Sequence, residues 1–244
     1  MIEQDVVIDT RHGRQPAFAA CPAGPGDYPP VILYMDAPGF REELRNHARR
    51  IAKRGYFCLL PDLYYRLGTV RFDTARRNDP MSAVIRAAKQ SLTNAAVVED
   101  TAGMIAFLDG QDKARAGPLG CVGHCMSGAF AMTAAARYPR MRAAAALYGV
   151  DMVTDAPDSP HRLAPQIEGE VYVGFAGIDP AVPATTPPAL DAALRAAGTR
   201  YRMETYDGAH HGFCFASRGD HDPAAAERAW EALFDLWNRN LGTA

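Results

Sequence analysis

The chain has 244 residues, of which 48% are hydrophobic and 22% are charged, and its formal net charge is −2. These proportions are those of a globular protein and argue against disorder. A charge this close to zero gives no electrostatic basis for binding nucleic acid or an anionic membrane, and we expect neither as a partner.

The cysteines indicate a reducing compartment. There are five of them, an odd number, and their positions lack the regular spacing of a disulfide framework. The N-terminal stretch MIEQDVVIDTRHGRQ contains no apolar signal-peptide core. No run of the chain reaches the roughly 18 apolar residues of a membrane span. We therefore expect a cytoplasmic protein of ordinary enzyme size.

The first half of the chain alternates between strand and helix patterns. Two extended segments, 5–9 and 16–20, predict an antiparallel hairpin. The apolar run 31–35 predicts a strand that is covered on both faces, and residues 41–55 have helical spacing. A further strand, a long arm and one helix are predicted next, at 56–60, 63–80 and 81–108.

The alternation continues to the end of the chain. Strands are predicted at 119–122, 143–148, 171–175 and 201–206. Between and after them we predict an alanine-rich helix that ends at Tyr138, a helix at 188–197, and a last helix that begins at Pro223 with Asp222 as its N-cap. This order predicts an α/β fold in a single domain over residues 1–244, with a mostly parallel sheet, an antiparallel N-terminal hairpin and helices on both faces.

Side chains that can act as a nucleophile, an acid or a base follow the ends of several predicted strands. In open α/β sheets, ligands bind beyond the carboxyl ends of the strands. The residues at these positions are Asp36, Cys125, Asp179 and the pair His210-His211. Cys125 lies in the glycine-flanked strand-to-helix stretch GHCMSG, which is typical of a nucleophile elbow. This stretch alone leaves Cys125 as either a nucleophile or a thiol that packs in the core, and the acid and histidine that follow later in the chain favour the nucleophile.

The later residues supply a base and an acid in the order that this kind of site requires. An imidazole can deprotonate the thiol, and an aspartate can orient that imidazole. Asp179 ends a strand, whereas a polar, proline-containing segment holds the alternatives Asp151, Asp155 and Asp158. Spacing alone leaves both His210 and His211 as candidates for the base.

A metal site is the competing interpretation of the elbow. Cys121, His124 and Cys125 lie close together in sequence, but their spacing matches no common zinc pattern, and Cys121 falls inside a strand. We expect neither a metal nor a cofactor.

Three segments together resemble the dienelactone hydrolases, the carboxymethylenebutenolidase-like cysteine branch of the α/β-hydrolase fold. They are GHCMSG at 123–128, GIDPAVP at 177–183 and YDGAHHGF at 206–213. The segment LPDLYYR at 60–66 is also similar to that family, and the resemblance extends from residue 31 to residue 237. It implies an α/β-hydrolase fold and an enzyme that cleaves a small carboxylic ester or a dienelactone-like lactone.

The resemblance also implies roles for individual residues. The family's histidine precedes a small residue and then Phe, which implies a triad of Cys125, Asp179 and His211 and an acyl-thioester intermediate on Cys125. The backbone N–H groups of Ala37 and Met126 would then form the oxyanion hole.

Two positions depart from the family pattern. Asp36 stands where the family usually has a glutamate near the nucleophile. Phe215 stands where founding-type enzymes carry an arginine that pairs with this acid and helps to hold a substrate carboxylate. We expect both positions to modulate the nucleophile or to contact the substrate. The alternative function is a non-hydrolytic relative that binds a small ligand or senses thiol chemistry.

Overall fold

Eight strands form one sheet in the computed structural model, which describes residues 1–242. The strands are β1 (Ile2–Thr10), β2 (Gly13–Cys21), β3 (Pro30–Tyr34), β4 (Phe57–Pro61), β5 (Leu119–His124), β6 (Met141–Leu147), β7 (Glu170–Ile178) and β8 (Arg200–His210). The helices are α1 (Glu42–Lys53), α2 (Asp79–Gln90), α3 (Asn94–Asp109), α4 (Ser127–Arg137), α5 (Pro160–Leu163), α6 (Thr186–Ala196) and α7 (Pro223–Leu241).

The strand order across the sheet is β1-β2-β4-β3-β5-β6-β7-β8. β1 pairs antiparallel with β2, in a register that places Val6 opposite Ala17, and β2 pairs antiparallel with β4. The other neighbours are parallel, so β3 to β8 all end at the same edge of the sheet. This arrangement confirms the predicted mostly parallel sheet with an N-terminal antiparallel hairpin.

Helices cover both faces of the sheet, as two consecutive residues of β5 demonstrate. A Cβ atom added to Gly120 would lie 3.0 Å from Trp237, on α7. The thiol of Cys121 points instead to the carbonyl of Ala131, on α4. Because successive strand residues face opposite ways, α7 and α4 pack on opposite faces. All five cysteines are free, and Cys121 is fully buried as predicted.

The single helix predicted at 81–108 is wrong, because the structure contains two helices there. α2 begins earlier, at Asp79, where the Asn78 side chain accepts a hydrogen bond from the Met81 N–H at 2.8 Å. It ends at Gln90, and α3 begins at Asn94 after the Thr93 side chain accepts from the Ala96 N–H at 3.1 Å. A threonine cap is a local start signal that outweighs the continuous apolar periodicity of this stretch.

The predicted start of the last helix is confirmed. The Asp222 carboxylate accepts hydrogen bonds from the N–H groups of Ala224 and Ala225, both at 3.0 Å. α6 begins at Thr186 rather than at residue 188, because its prolines occupy the first turn, where no N–H is needed. The short helix α5 was not predicted. No helix within residues 1–242 combines the length and the apolar character that crossing a bilayer requires.

Candidate active site

Cys125 lies at the sharp turn between β5 and α4, with its side chain partly exposed. Its φ of 56° is in the left-handed region, which residues with a Cβ atom rarely occupy. Two hydrogen bonds secure the turn to the end of β6, from the Cys125 N–H to the Leu147 carbonyl and from the Val150 N–H to the Cys125 carbonyl, each at 3.1 Å. The surrounding structure therefore holds Cys125 in a strained, fixed position.

Small neighbours make this turn possible. A Cβ atom on Gly123 would lie 1.9 Å from the Ser127 carbonyl oxygen, which no real contact permits. Ser127 stands where a nucleophile elbow usually has its second glycine. Its hydroxyl accepts from the His124 N–H at 2.9 Å and lies 3.1 Å from the Tyr34 carbonyl of β3. The serine thus fastens the turn to the neighbouring strand.

Asp179 and His211, which follow β7 and β8, are brought into direct contact. Nδ1 of His211 lies 2.7 Å from Oδ2 of Asp179, and their side chains are 15% and 4% exposed. Burial lowers the pKa of His211, but hydrogen bonding to Asp179 and to the Cys125 thiol outweighs this and raises the pKa to about 9. An imidazole that is oriented by a carboxylate and lies beside a thiol can exchange a proton with that thiol.

The other candidates from the sequence lie elsewhere. His210 ends β8 with an exposed side chain, while the adjacent His211 contacts Asp179. Asp151 forms an ion pair with Lys89 at 2.8 Å. Asp155 is fully exposed and lies 4.0 Å from Arg162.

The backbone N–H groups of Ala37 and Met126 have no hydrogen-bond acceptor among residues 1–242. Both residues are almost fully buried, at 8% and 2% exposed. The Tyr64 hydroxyl donates to the Ala37 carbonyl at 2.7 Å and lies 3.7 Å from the Met126 sulfur, so the two residues flank one side chain. Buried N–H groups are almost always paired, so these two donors are available to a bound oxygen atom.

Asp36 is fully buried, and the guanidinium of Arg41 pairs with both of its carboxylate oxygens. Arg41 also donates to Glu43 and to the Gly39 carbonyl, each at 3.1 Å. Burial alone would lower the pKa of Arg41, but the carboxylates of Asp36 and Glu43 raise it. The sequence analysis missed Arg41, although a buried carboxylate requires a cation and Arg41 follows it by only five residues.

Phe215 is fully buried and packs against Arg41. The Arg41 guanidinium carbon lies 4.7 Å from the centre of the Phe215 ring, at cation–π distance. The same ring stacks on His47 at 5.0 Å and is tilted against His124 at 5.3 Å. The loop that carries Phe215 is joined to the start of α1, because the Ser217 N–H and hydroxyl both donate to Glu43, at 2.8 and 2.7 Å.

Two further buried rings adjoin the site, and the sequence analysis did not assign either of them a role. Tyr148 directly follows β6 with a φ of 39°, and its ring is edge-on to His211 with the centres 5.2 Å apart. The predicted strand 143–148 includes Tyr148, whereas β6 ends at Leu147, so the rule of inspecting strand ends passes over it. His124 precedes Cys125, and neither ring nitrogen has a hydrogen-bond partner among the described residues. Burial lowers the pKa of His124 well below its ordinary value, so its ring is neutral.

Comparison with known proteins identifies the family. A sequence model of the dienelactone hydrolase family matches residues 16–241. The chain belongs to the dienelactone hydrolase family. A relative from Methylorubrum extorquens named "Putative carboxymethylenebutenolidase" is 31% identical over 248 aligned positions, covering 100% of this chain and 83% of the relative. A Synechocystis protein with the same name is 26% identical and covers 97% of this chain and 96% of its own length.

Solved structures agree with the fold. A crystal structure described as "Putative Dienelactone Hydrolase" from Klebsiella pneumoniae superposes with a TM-score of 0.88 at 24% identity, covering 98% of each chain. The protein is thus a carboxylic-ester hydrolase of the dienelactone hydrolase family, acting on esters or lactones. Within residues 1–242, no group of three His, Cys, Asp or Glu side chains is arranged to hold a metal ion.

Proposed function

We propose that the protein hydrolyses a small carboxylic ester or a dienelactone-like lactone through a triad of Cys125, His211 and Asp179. The contact of 2.7 Å between Asp179 and His211, beside a cysteine in a strained turn, carries this proposal. Membership of the family supports the reaction class. The free state of all five cysteines supports a cytoplasmic location.

The first half of the reaction forms an acyl-thioester. The thiol proton of Cys125 passes to His211 before the substrate reacts, because the raised pKa of His211 favours the imidazolium, and the sulfur then attacks the carbonyl carbon of the substrate. The negative charge that develops on the carbonyl oxygen is stabilised by the N–H groups of Ala37 and Met126. The carbon–oxygen bond to the leaving group then breaks, and His211 returns its proton to the departing oxygen. Asp179 orients the imidazole and stabilises its cation.

The second half of the reaction hydrolyses the acyl-thioester and regenerates the free enzyme. His211 deprotonates a water molecule, whose oxygen attacks the thioester carbonyl, and the carbon–sulfur bond breaks. The carboxylic acid leaves, and the proton held by His211 returns to the Cys125 sulfur. A thiolate is a better leaving group than most alkoxides, so the forward reaction favours activated esters and enol-lactones.

Asp36 has a supporting role in this proposal. Its carboxylate directly precedes the oxyanion donor Ala37, and Arg41 holds it in place. Because the guanidinium offsets the negative charge, Asp36 does not repel the thiolate of Cys125 as an unpaired carboxylate would.

Turnover of aryl esters, alkyl esters and an enol-lactone by the wild type and by Cys125→Ala tests the proposal. We expect Cys125→Ala to lose activity on every substrate while unfolding at the temperature of the wild type. Cys125→Ser is expected to retain a small fraction of the activity on simple esters. Unchanged turnover by Cys125→Ala on the best substrate would contradict the mechanism.

The choice of histidine has its own comparison. His211→Ala is expected to lower kcat by at least a hundredfold, because it removes the base. His210→Ala changes an exposed neighbour and is expected to stay within about threefold of the wild type. A larger loss in His210→Ala than in His211→Ala would show that the base is assigned to the wrong ring.

A further inference from the structure

A cavity of about 310 Å³ lies beside the proposed nucleophile. One wall consists of Met126 together with Ala129 and Phe130 from the first turn of α4. Leu92, in the connection between α2 and α3, is a further apolar lining residue. The volume is at the low end of the range of cavities that bind small molecules.

The cavity is attached rigidly to the turn that holds Cys125. Met126 is the next residue in the chain, and its N–H is a proposed oxyanion donor. On the other side, the Val150 N–H donates to the Cys125 carbonyl at 3.1 Å, and the following residue, Asp151, lines the cavity. The cavity is therefore lined from both sides of the Cys125 turn, by the residue that follows Cys125 and by the segment hydrogen-bonded to its carbonyl.

The charges at the cavity rim favour an uncharged occupant. Lys89, at the end of α2, and Asp151, after β6, form an ion pair at 2.8 Å that bridges the rim. The Asn94 side chain is engaged with the Asp158 carbonyl at 3.1 Å. Asp158 also lines the cavity, so its charged lining residues are one lysine and two aspartates, which disfavours an anionic occupant. The apolar part of the lining comes from Leu92, Met126, Ala129 and Phe130.

We propose that this cavity binds the acyl chain of the substrate, an uncharged alkyl or aryl group. This inference rests on the proposed acyl-thioester on Cys125. The acyl chain stays bonded to the sulfur through both halves of the reaction, whereas the alcohol of an ester departs after the first. In a lactone the released oxygen remains attached to the acyl chain, so the whole substrate stays on the sulfur. A permanent pocket beside the nucleophile therefore gives binding energy to the acyl side, and the side chains at positions 92 and 129 set the chain length that fits.

Two families of esters test the assignment. 4-Nitrophenyl acetate and hexanoate differ only in the acyl chain, and ethyl and hexyl acetate differ only in the alcohol. The variant Leu92→Trp fills the cavity from a partly exposed position, and Ala129→Leu fills it from α4. Val84→Trp is the matched control, because Val84 is 56% exposed on α2 and does not line the cavity.

We expect both filling variants to lower the ratio of kcat/KM for hexanoate to that for acetate by at least tenfold. The control Val84→Trp should keep this ratio within twofold of the wild type. A ratio within twofold in both filling variants would overturn the proposal. An equal or larger effect in the series that varies the alcohol would overturn it as well.

Alkylation of Cys125 separates this inference from the proposed function. N-hexyl iodoacetamide and iodoacetamide both modify the thiol without any hydrolysis, and their relative rates report on room for a chain at the sulfur. We expect Leu92→Trp to slow the hexyl reagent at least fivefold relative to the parent reagent. If the wild type hydrolyses no ester but this shift is present, the proposed function fails and the cavity assignment stands. Equal slowing of both reagents would show that the cavity does not receive a chain attached to the Cys125 sulfur.

Discussion

Replacing Arg41 with glutamine should test how the site depends on its buried ion pair. Asp36 is 0% exposed and the Arg41 side chain is 10% exposed, so the variant leaves a carboxylate buried without its cation. Removing one partner of a buried pair costs about 3–5 kcal/mol. For a chain of this size, 1 kcal/mol corresponds to about 2–4 °C in Tm. We therefore expect Arg41→Gln to melt about 6–20 °C below the wild type.

Catalysis should fall in the same variant. Arg41 joins the loop of Asp36 and Ala37 to Glu43 and, through it, to the loop that follows His211. Without this link the Ala37 N–H is no longer fixed, and losing one oxyanion donor lowers kcat by about 10²- to 10³-fold. We expect kcat on 4-nitrophenyl acetate to fall by about a hundredfold while KM changes by less than about threefold, because the donor acts mainly on the transition state.

Two comparisons isolate the pair. Arg45→Gln, on the helix α1 that follows Arg41, removes a guanidinium whose partner Asp5 is 70% exposed and should cost no more than about 2 kcal/mol. The double variant Asp36→Asn/Arg41→Gln removes both charges and should be more stable than Arg41→Gln alone by about 2 kcal/mol or more. Urea unfolding measures these differences. A double variant as unstable as Arg41→Gln, or a loss in Arg41→Gln no larger than in Arg45→Gln, would refute the reasoning.

Three further predictions concern the nucleophile turn and the histidine. The pKa of His211 is raised from 6.5 to about 9, so the stability that its protonation contributes is fully present below pH 6.5 and disappears as the pH rises through about 9. Urea unfolding should show that the free energy of unfolding falls by about 3 kcal/mol over this range, and that His211→Gln lacks this fall. A free energy of unfolding that rises with pH over this range would contradict the assignment. Gly123→Ala places a Cβ atom 1.9 Å from a backbone oxygen and should cost about 3 kcal/mol or more, whereas Gly219→Ala, with open space around it, should stay within about 0.5 kcal/mol in the same assay. Iodoacetamide should label Cys125 at least a hundredfold faster than Cys58, whose thiol is fully buried with a raised pKa; peptide mapping by mass spectrometry measures both, and similar rates would remove the special reactivity of Cys125.

The sequence alone predicted the sheet and the residues at its edge, because both depend on local patterns. Apolar runs mark the strands, and parallel strands end at one edge, so the residues that follow them were placed near each other before any coordinates. Asp179 and His211, which are 32 residues apart, lie in contact at 2.7 Å for this reason. The exclusion of the three aspartates at 151–158 needed only their polar, proline-rich surroundings.

Contacts between side chains on different elements could not be predicted in the same way. Arg41 looks like any arginine at the start of an amphipathic helix, and its pairing with Asp36 depends on how that helix packs against the loop after β3. Tyr148 was assigned to a strand because it continues an apolar run. The turn around it imposes a left-handed backbone conformation that the residue type does not reveal. The break between α2 and α3 was missed because apolar periodicity continues through it, while the Thr93 cap that produces it is a single residue.

The left-handed backbone conformation of Cys125 means that the residue best for stability at position 125 differs from the residue best for activity. A residue with a Cβ atom costs about 1–2 kcal/mol in the left-handed region, and glycine occupies this region without that cost. A library at position 125 that is sorted for heat tolerance should therefore enrich Cys125→Gly, while a library sorted for turnover should keep the sulfur. Directed evolution of this enzyme towards higher temperature should begin away from this turn, at sites where added stability does not compete with the reaction.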